Sequence, residues 1–237
     1  MRLDTLLADT EKISREKAKE LIQAGHVTVN GRIIKKPGTR CEQGIQIGLD
    51  QPKTGYVSRG GHKLEAALSY FGINVENADC IDIGASTGGF TDCLLQHGAA
   101  LVYAIDVGTG QMHPTLVNHP KVISIEQINI KDFNADISSD IIVIDVSFIS
   151  LKTVLPIAYN LLNPDGCCIA LVKPQFEVGP SNLNKKGLVR DMVLHQKVIG
   201  DIGNAAKAIG FSLIGHTRSQ LQGKKSGNTE YFYYLKK

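Results

Sequence analysis

Residues 80–90 read Cys-Ile-Asp-Ile-Gly-Ala-Ser-Thr-Gly-Gly-Phe, and the architecture of the chain is inferred from this pattern. Its first four residues are apolar except for Asp82, which predicts a buried strand of a parallel sheet ending at Gly84. The spacing of apolar residues over 90–97 predicts a helix directly after the glycines. A strand, a glycine turn and a helix in this order predict an α/β sheet with a ligand crevice at the carboxyl ends of its strands.

The glycines of this loop restrict the kind of ligand. Gly84, Gly88 and Gly89 let a ligand approach the backbone closely. Their spacing lacks the second glycine of G-x-G-x-x-G and no Gly-Lys-Ser/Thr follows, so a pyrophosphate is disfavoured. Asp106 follows the next predicted strand, 101–105, where a carboxylate can accept hydrogen bonds from ribose hydroxyls. A nucleoside without a pyrophosphate indicates S-adenosylmethionine; the alternative is a strand, turn and helix that bind nothing.

The composition is typical of a folded protein in a reducing compartment. The 237 residues suffice for one large domain, or one domain and a small module, and 43% of them are hydrophobic. No apolar run reaches the length of a membrane span, and the N-terminus is polar and charged, unlike a signal peptide. The five cysteines form no C-x-x-C pair, so neither a zinc site nor a disulfide framework is predicted and a cytoplasmic location is expected.

The first quarter of the chain has its own pattern and carries the excess of positive charge. Residues 1–58 contain 10 Lys and Arg against 7 Asp and Glu, whereas residues 59–237 contain 16 of each. A small α+β domain is predicted here. It would contain a helical pattern over 1–8, a helix over 15–24, a hairpin turn at Asn30-Gly31 and a strand over 44–49. The polar stretch 51–55 is a predicted linker, which places the domains at 1–55 and 56–237.

Basic side chains of the first domain recur close together in the sequence. Arg15 and Lys19 are four residues apart on one helix face, and further cations follow in the predicted hairpin. Such a surface contacts phosphates without reading bases. The alternative is a solvated helix surface. The predicted RNA-binding residues are Arg2, Arg15, Lys19, Arg32, Lys35, Lys36 and, in the second domain, Arg59.

The pattern of the first domain resembles a known family. Ser14-Arg15-x-x-Ala18-x-x-Leu21-Ile22-x-x-Gly25-x-Val27-x-Val29-Asn30-Gly31, followed by Lys36-Pro37, is similar to the alpha-L RNA-binding module of ribosomal protein S-four and of pseudouridine synthases. The resemblance implies that this domain binds structured RNA by shape and backbone.

Charged residues stand at the ends of several predicted strands in the second domain. The apolar strand 141–145 ends at Asp145, the strand 167–172 is followed by Lys173, and Glu230 lies near the start of a final strand, 229–235. Lys63 lies in the first turn of a predicted helix that runs to about Phe71. We expect these four side chains to converge at one edge of the sheet, where their mutual attraction offsets their burial.

This cluster has a chemical interpretation. A lysine crowded by a second cation can give up its proton near neutrality and act as a general base towards a ribose hydroxyl. We assign Lys173 as the base, Asp145 as the group that orients it, and Glu230 as the group that orients Lys63 and the hydroxyl. The alternative is an ion-pair network with a structural role only.

The second domain resembles the FtsJ-like ribose 2'-O-methyltransferases, and the whole chain is similar to the TlyA group within them. The matching motifs are residues 57–64, 82–91, 145–150, 173–177 and 227–231. The resemblance implies a Rossmann-like S-adenosylmethionine-dependent methyltransferase sheet with a Lys-Asp-Lys-Glu catalytic tetrad. It also implies cofactor contacts from Asp82, Gly84, Ala85, Ser86, Gly88, Gly89, Phe90, Asp106, Gln127, Asn129 and Asp145. In the segment 126–129, which residue contacts adenine is left open.

The leading hypothesis is therefore an enzyme that methylates ribose 2'-hydroxyls of ribosomal RNA, at cytidine by resemblance. Its expected partners are ribosomal RNA or ribosomal subunits, with no membrane and no metal. One alternative is a membrane-damaging hemolysin, which is disfavoured because the sequence has no amphipathic basic helix or apolar span. The other is a non-catalytic RNA chaperone, against which the intact tetrad argues.

Overall fold

The computed structural model describes residues 1–11, 13–41, 45–49, 55–133, 137–221 and 227–237. The chain divides into two units, Met1–Gly55 and Tyr56–Lys237. Most of the linker predicted at 51–55 and part of the strand predicted over 44–49 lie outside the described residues.

The N-terminal unit packs two helices on a three-stranded antiparallel sheet. Its elements are α1 (Leu3–Glu11), α2 (Arg15–Ala24), β1 (Val27–Val29), β2 (Arg32–Ile33) and β3 (Ile47–Leu49), with the strand order β2-β1-β3. The hairpin turn predicted at Asn30-Gly31 is confirmed, and both residues have positive φ, as its tight geometry requires. The first helix begins at Leu3 and is longer than the pattern over 1–8 predicted.

The second unit is built on a seven-stranded sheet with the order β6-β5-β4-β7-β8-β10-β9. Its strands are β4 (Asp79–Ile83), β5 (Leu101–Ile105), β6 (Val122–Ile125), β7 (Ser139–Ile144), β8 (Leu162–Val172), β9 (Ser212–Arg218) and β10 (Tyr231–Lys236). Its α-helices are α3 (Arg59–Phe71), α4 (Gly89–Gln96), α5 (Pro114–Val117), α6 (Leu151–Leu161) and α7 (Met192–Ile209). The five strands from β6 to β8 are parallel, and β10 pairs antiparallel with both of its neighbours.

Both faces of the sheet are covered, and the alternation of side chains along the central strand follows the two layers. Ile142 and Ile144 of β7 belong to the core beneath α6 and α7, whereas Ile141 and Val143 belong to the core beneath α3 and α4. β5, which follows β4 in the chain, pairs with one edge of β4, whereas β7 pairs with the other edge. The strand order therefore reverses at β4. Ligands bind at such a switch point, at the carboxyl ends of the strands.

Several predicted boundaries differ from the structure. Helix α3 begins at Arg59 rather than near Leu64, and α7 begins at Met192, three residues after the predicted start. The strand predicted over 167–172 begins earlier, at Leu162. The first residue of β8 also pairs with β7, because Leu162 lies opposite Ser139 before a shift in register. The last strand begins at Tyr231, so that Glu230 precedes it. Pro156 lies inside α6, without ending the helix.

Candidate active site

The four charged residues that the sequence predicted to converge form two ion pairs. Lys173 Nζ lies 2.6 Å from Asp145 Oδ1, and Lys63 Nζ lies 2.5 Å from Glu230 Oε2. The Lys63 and Glu230 side chains are 10% and 3% exposed, so this pair is nearly excluded from water. Together the four side chains carry no net charge, which lowers the cost of their burial.

The sheet register explains why the pairs lie at one place. β7 and β8 are parallel neighbours whose last residues, Ile144 and Val172, are followed directly by Asp145 and Lys173. β10 runs antiparallel to β8 with Tyr231 opposite Val172, so the chain places Glu230 across from Lys173. Residues that face each other in an antiparallel pair have Cβ atoms only about 5 Å apart. The register therefore brings Asp145, Lys173 and Glu230 to one edge of the sheet.

Lys63 reaches this edge from α3, and the helix begins earlier than predicted. The Ser58 hydroxyl caps the helix by accepting a hydrogen bond from Gly60 N at 3.3 Å. Lys63 is therefore in the second turn, not the first. The glycines at 60 and 61 are packing residues rather than turn residues, since a Cβ on Gly61 would collide with the Tyr56 ring.

The Asp145–Lys173 pair has hydrogen-bonding capacity left over. Asp145 Oδ1 is buried and accepts no aligned hydrogen bond from the described residues, although the ammonium of Lys173 is close. Lys173 Nζ donates instead to Ser147 Oγ at 3.0 Å. Buried polar atoms without partners are uncommon in folded proteins. The pair can therefore engage a further polar group at the open end of the strands.

A cavity of about 550 Å³ opens beside the tetrad at the carboxyl ends of β4, β5 and β7. This volume is in the range of small-molecule sites. Five of the predicted cofactor contacts line it: Gly84, Ser86, Asp106, Asn129 and Asp145. Ile128 and Ile130 add apolar walls next to Asn129, whereas Gln127 is outside the lining. A larger depression on the outer side of α3 contains none of the predicted site residues.

Asp106 and Ser86 shape one wall of this cavity. Asp106 Oδ2 accepts a hydrogen bond from Ser86 N at 2.8 Å, and its Oδ1 accepts one from Gly108 N at 2.7 Å. Ser86 has a φ of +48°, which is unfavourable for a residue with a side chain. The carboxylate thus holds the loop after β4 against the loop after β5. Each of its oxygens still has a lone pair for a ligand hydroxyl.

Asp82, one of the predicted cofactor contacts, does not line the cavity. It is wholly buried on the α4 side of the sheet, where Thr91 Oγ1 donates a hydrogen bond to its Oδ2 at 2.7 Å. Burial raises the pKa of Asp82 to about 7, and the nearby Asp145 and Asp106 carboxylates add to the shift. Its position in β4 explains this placement, because residue 82 shares the helix-covered face with Cys80.

The remaining predicted loop contacts have packing roles. Phe90 is buried and its ring lies 6.2 Å from that of Phe232. A Cβ on Gly88 would collide with Leu116, and one on Gly89 would collide with Ser58. Ala85 is buried against a small apolar cluster that includes Ala104. These residues therefore set the shape of the loop.

Two aromatic residues at the cavity rim were not predicted. Phe148 is 91% exposed although its ring lies only 4.9 Å from that of Phe176. Its backbone has a φ of +64°, a strained conformation for a non-glycine residue. Lys173 Nζ lies 5.8 Å from the centroid of the Phe176 ring, so the aromatic pair adjoins the tetrad. Both residues lie in motifs that match the family, 145–150 and 173–177, but the exposure of the Phe148 ring depends on the loop conformation after β7.

In the N-terminal unit, a buried carboxylate orients two of the predicted RNA-binding residues. Asp4 accepts two hydrogen bonds from the Arg2 guanidinium at 3.0 Å each and one from Arg15 Nε at 3.2 Å. The hydrogen bond from Arg2 is the main cause of an Asp4 pKa well below its usual value, and Arg15 lowers it further. Both arginines remain about half exposed, and Arg32, Lys35 and Lys36 are exposed as well. Lys19 is partly buried, and Arg59 of the second unit is exposed.

Two further features bear on the expectations about metals and membranes. Within the described ranges, no group of three or more His, Cys, Asp and Glu side chains is placed to hold a metal ion. No helix among the described residues is long and apolar enough to span a bilayer.

Comparisons with known proteins agree with this geometry. The model of the FtsJ-like methyltransferase family matches residues 56–237, and the S4 domain model matches residues 1–47. Solved S-adenosylmethionine-dependent methyltransferases of only 12% identity share the fold of the second unit, with TM-scores of 0.58 and 0.56. The predicted fold class is thus confirmed.

Relatives match nearly the full length of the chain. Hemolysin A of Brachyspira hyodysenteriae is 43% identical over 99% of each chain. The 16S/23S rRNA (cytidine-2'-O)-methyltransferase TlyA of Mycobacterium tuberculosis is 41% identical over 94% of this chain and 84% of its own. A solved structure from Streptococcus thermophilus, described as a hemolysin, is 42% identical with a TM-score of 0.75, over 100% of this chain and 88% of the other.

The second unit thus has the fold of S-adenosylmethionine-dependent methyltransferases, and the chain belongs to the FtsJ-like methyltransferase family, among relatives that carry the names TlyA and hemolysin A. The family resemblance stated from the sequence is confirmed. The hemolysin name does not point to a pore-forming role, because the relative with that name and the relatives named as rRNA methyltransferases match the same chain at nearly the same identity.

Proposed function

We propose that this protein transfers a methyl group from S-adenosylmethionine to a ribose 2'-hydroxyl of structured RNA, and that the RNA is ribosomal. The observation that carries the proposal is the neutral Lys63–Glu230 and Lys173–Asp145 cluster at the rim of the cavity. A ribose hydroxyl keeps its proton near neutrality, so the acceptor needs a base and an orienting group. The charged side chains of this cluster supply both.

The residues around the cavity fit S-adenosylmethionine. Asp106 offers carboxylate oxygens for ribose hydroxyls, and Ile128 and Ile130 offer an apolar slot for an aromatic base beside the amide of Asn129. Gly84 has a φ of +87° and lets the end of β4 lie close to the end of β7 at the cavity wall, since a Cβ there would lie 2.7 Å from Asp145 O. When bound, S-adenosylmethionine supplies an electrophilic methyl group.

Lys173 is the proposed base for the 2'-hydroxyl. Asp145 and Ser147 fix its ammonium group from two sides, which places Nζ at the mouth of the cavity. In its uncharged form, Lys173 accepts the hydroxyl proton while the oxygen is held in line with the methyl group. Lys63, held by Glu230, stabilises the negative charge that develops on that oxygen.

RNA recognition is assigned to two regions. The Arg2 and Arg15 guanidinium groups are fixed by Asp4 and are half exposed, which suits phosphate contacts. The exposed Phe148 ring, backed by Phe176, offers a stacking surface for a base next to the tetrad. The names of the relatives favour cytidine in ribosomal RNA as the target, and the proposed site of action is the cytoplasm.

Ribose methylation by variants tests the proposal. Lys173→Ala should reduce the single-turnover rate on ribosomal RNA by ~10²–10⁴-fold, the contribution of a general base, while RNA and S-adenosylmethionine affinities change little. Lys207→Ala, which removes an exposed lysine of α7, is the matched control. Retention of more than about a tenth of the wild-type rate by Lys173→Ala would reassign the base. Absence of methylation by the wild-type protein would favour the RNA-chaperone alternative.

A further inference from the structure

A short basic loop beside the tetrad has a well-defined conformation. Residues 184–190, Asn-Lys-Lys-Gly-Leu-Val-Arg, form what we call the basic loop. Asn184 Oδ1 accepts hydrogen bonds from the backbone of Lys186 at 2.8 Å and of Leu188 at 2.9 Å. Asn184 N also donates to Leu188 O at 3.1 Å, and Gly187 takes the positive φ that this turn requires. The loop is therefore folded by its own polar groups.

Two buried polar side chains fasten the basic loop to the rest of the unit. Asn228, 2% exposed, accepts a hydrogen bond from Val189 N at 3.1 Å and donates one to Gly187 O at 2.9 Å. His195, also 2% exposed, lies 2.9 Å from Val189 O. A carbonyl only accepts, so His195 Nε2 carries the proton, and its Nδ1 accepts from the Tyr231 hydroxyl at 3.2 Å. Both side chains therefore hold the backbone of this loop in place.

The basic loop is attached beside the start of β10, next to Glu230 of the tetrad. Asn228 and Tyr231 lie two residues before and one residue after Glu230. Tyr231 pairs with Val172, the residue before Lys173. The basic loop is therefore fixed directly next to the proposed reaction site.

The loop exposes three cations at this place. Lys185, Lys186 and Arg190 are all exposed, and none of them forms an ion pair within the part of the chain that the structure describes. Solvated cations on a mobile loop would need no such attachment, whereas preorganised cations lose less conformational entropy when they bind an anion. Three fixed positive charges around a site for a nucleotide suit the phosphates on either side of it.

We propose that the basic loop contacts the RNA backbone next to the target ribose, with Lys185, Lys186 and Arg190 on phosphates and with Asn228 and His195 as positioning residues. The inference rests on the proposed function, because it takes RNA as the substrate. It adds a contact surface within the catalytic unit to the one predicted in the N-terminal unit.

Equilibrium binding of ribosomal RNA as a function of salt tests the inference. The triple variant Lys185→Gln, Lys186→Gln, Arg190→Gln should bind RNA at least about tenfold more weakly at 150 mM salt. Its plot of log Kd against log salt should be shallower by about 2, since each phosphate contact contributes ~0.7–0.9 to that slope. S-adenosylmethionine affinity should be unchanged. Lys152→Gln, Lys197→Gln, Lys207→Gln removes the same charge from α6 and α7 and should leave the slope almost as in the wild type.

Asn228→Ala tests the positioning role, because it keeps all three cations. We expect a shallower salt slope together with faster hydrogen exchange at Val189 N–H, whose acceptor is lost. A wild-type slope in the triple variant, or an equal loss in the control triple variant, would overturn the inference. Binding is measured without methyl transfer, so this result decides the inference even if the wild-type protein methylates no RNA, an outcome that would overturn only the proposed function.

Discussion

The pKa of a single buried carboxyl, that of Asp82, gives the fold a pH dependence. Its pKa in the folded protein is about 7, against an ordinary value of 3.8. Between these pH values the folded protein holds a proton that the unfolded chain releases. The free energy of unfolding therefore falls as pH rises from about 4 to 7. Above pH 7 the carboxyl is ionised in both states, so the free energy of unfolding keeps this lower value.

Asp82→Asn should remove this dependence. The amide keeps an oxygen for the Thr91 hydroxyl and has no charge to bury. We expect the Tm difference between variant and wild type to be more positive at pH 8 than at pH 5, as measured by thermal unfolding at both values. Asp201→Asn, at an exposed carboxylate of α7, is the control. An equal Tm difference at the two pH values would contradict the assignment.

The side chain of Phe148, in contrast to that of Asp82, contributes little to the stability of the folded state. Since the ring is 91% exposed, Phe148→Ala should leave the Tm almost unchanged. If the ring stacks on a base, the variant should lose ~1–3 kcal/mol in kcat/KM for RNA. Phe148→Trp should keep most of the activity. Steady-state kinetics with ribosomal RNA measures both, and unchanged kcat/KM in the alanine variant would remove Phe148 from the site.

At the scale of the elements, the junction of β4 and β7 depends on one glycine. Gly84→Ala would introduce a Cβ 2.7 Å from Asp145 O at a φ of +87°. We expect a loss of stability of about 1–3 kcal/mol from the backbone strain and the collision, and a loss of activity because Asp145 moves. Gly200→Ala is the matched control, since its Cβ meets open space on α7. Denaturant unfolding and methylation assays of both variants check the prediction.

The same elements show which parts of the site could be predicted from the sequence. Asp145 and Lys173 follow apolar runs, and the ends of parallel strands meet at one edge, so their proximity was predictable. The start of α3 was not, because Arg-Gly-Gly looks like a turn until the Tyr56 ring occupies the space beside Gly61. Asp82 was assigned to the ligand because the glycine loop follows it, although strand alternation directs its side chain towards α4. The exposure of Phe148 and the attachment of the basic loop through Asn228 depend on tertiary structure, which no local pattern encodes.

At the scale of the whole molecule, the two units have separate cores and, as we propose, separate roles. The core of the N-terminal unit is built from its own residues, among them Leu3, Leu7 and Ile22, and the cores of the second unit contain none of them. Deletion of residues 1–55 should therefore leave the second unit folded, with its cavity and tetrad in place.

The deletion should weaken RNA binding without affecting the cofactor. The first unit carries the excess positive charge and the Arg2–Asp4–Arg15 cluster, so its loss should raise Kd for ribosomal RNA and reduce the dependence of Kd on salt. S-adenosylmethionine affinity, measured by calorimetry, should be the same in both proteins, because Asp106 and the rest of the cavity lining lie after residue 55. The full-length Arg2→Gln, Arg15→Gln variant separates the arginine contacts from the loss of a whole unit. If the truncated protein binds RNA with the full-length salt slope, the basic loop and its surroundings are the main RNA anchor, and the N-terminal unit has another role.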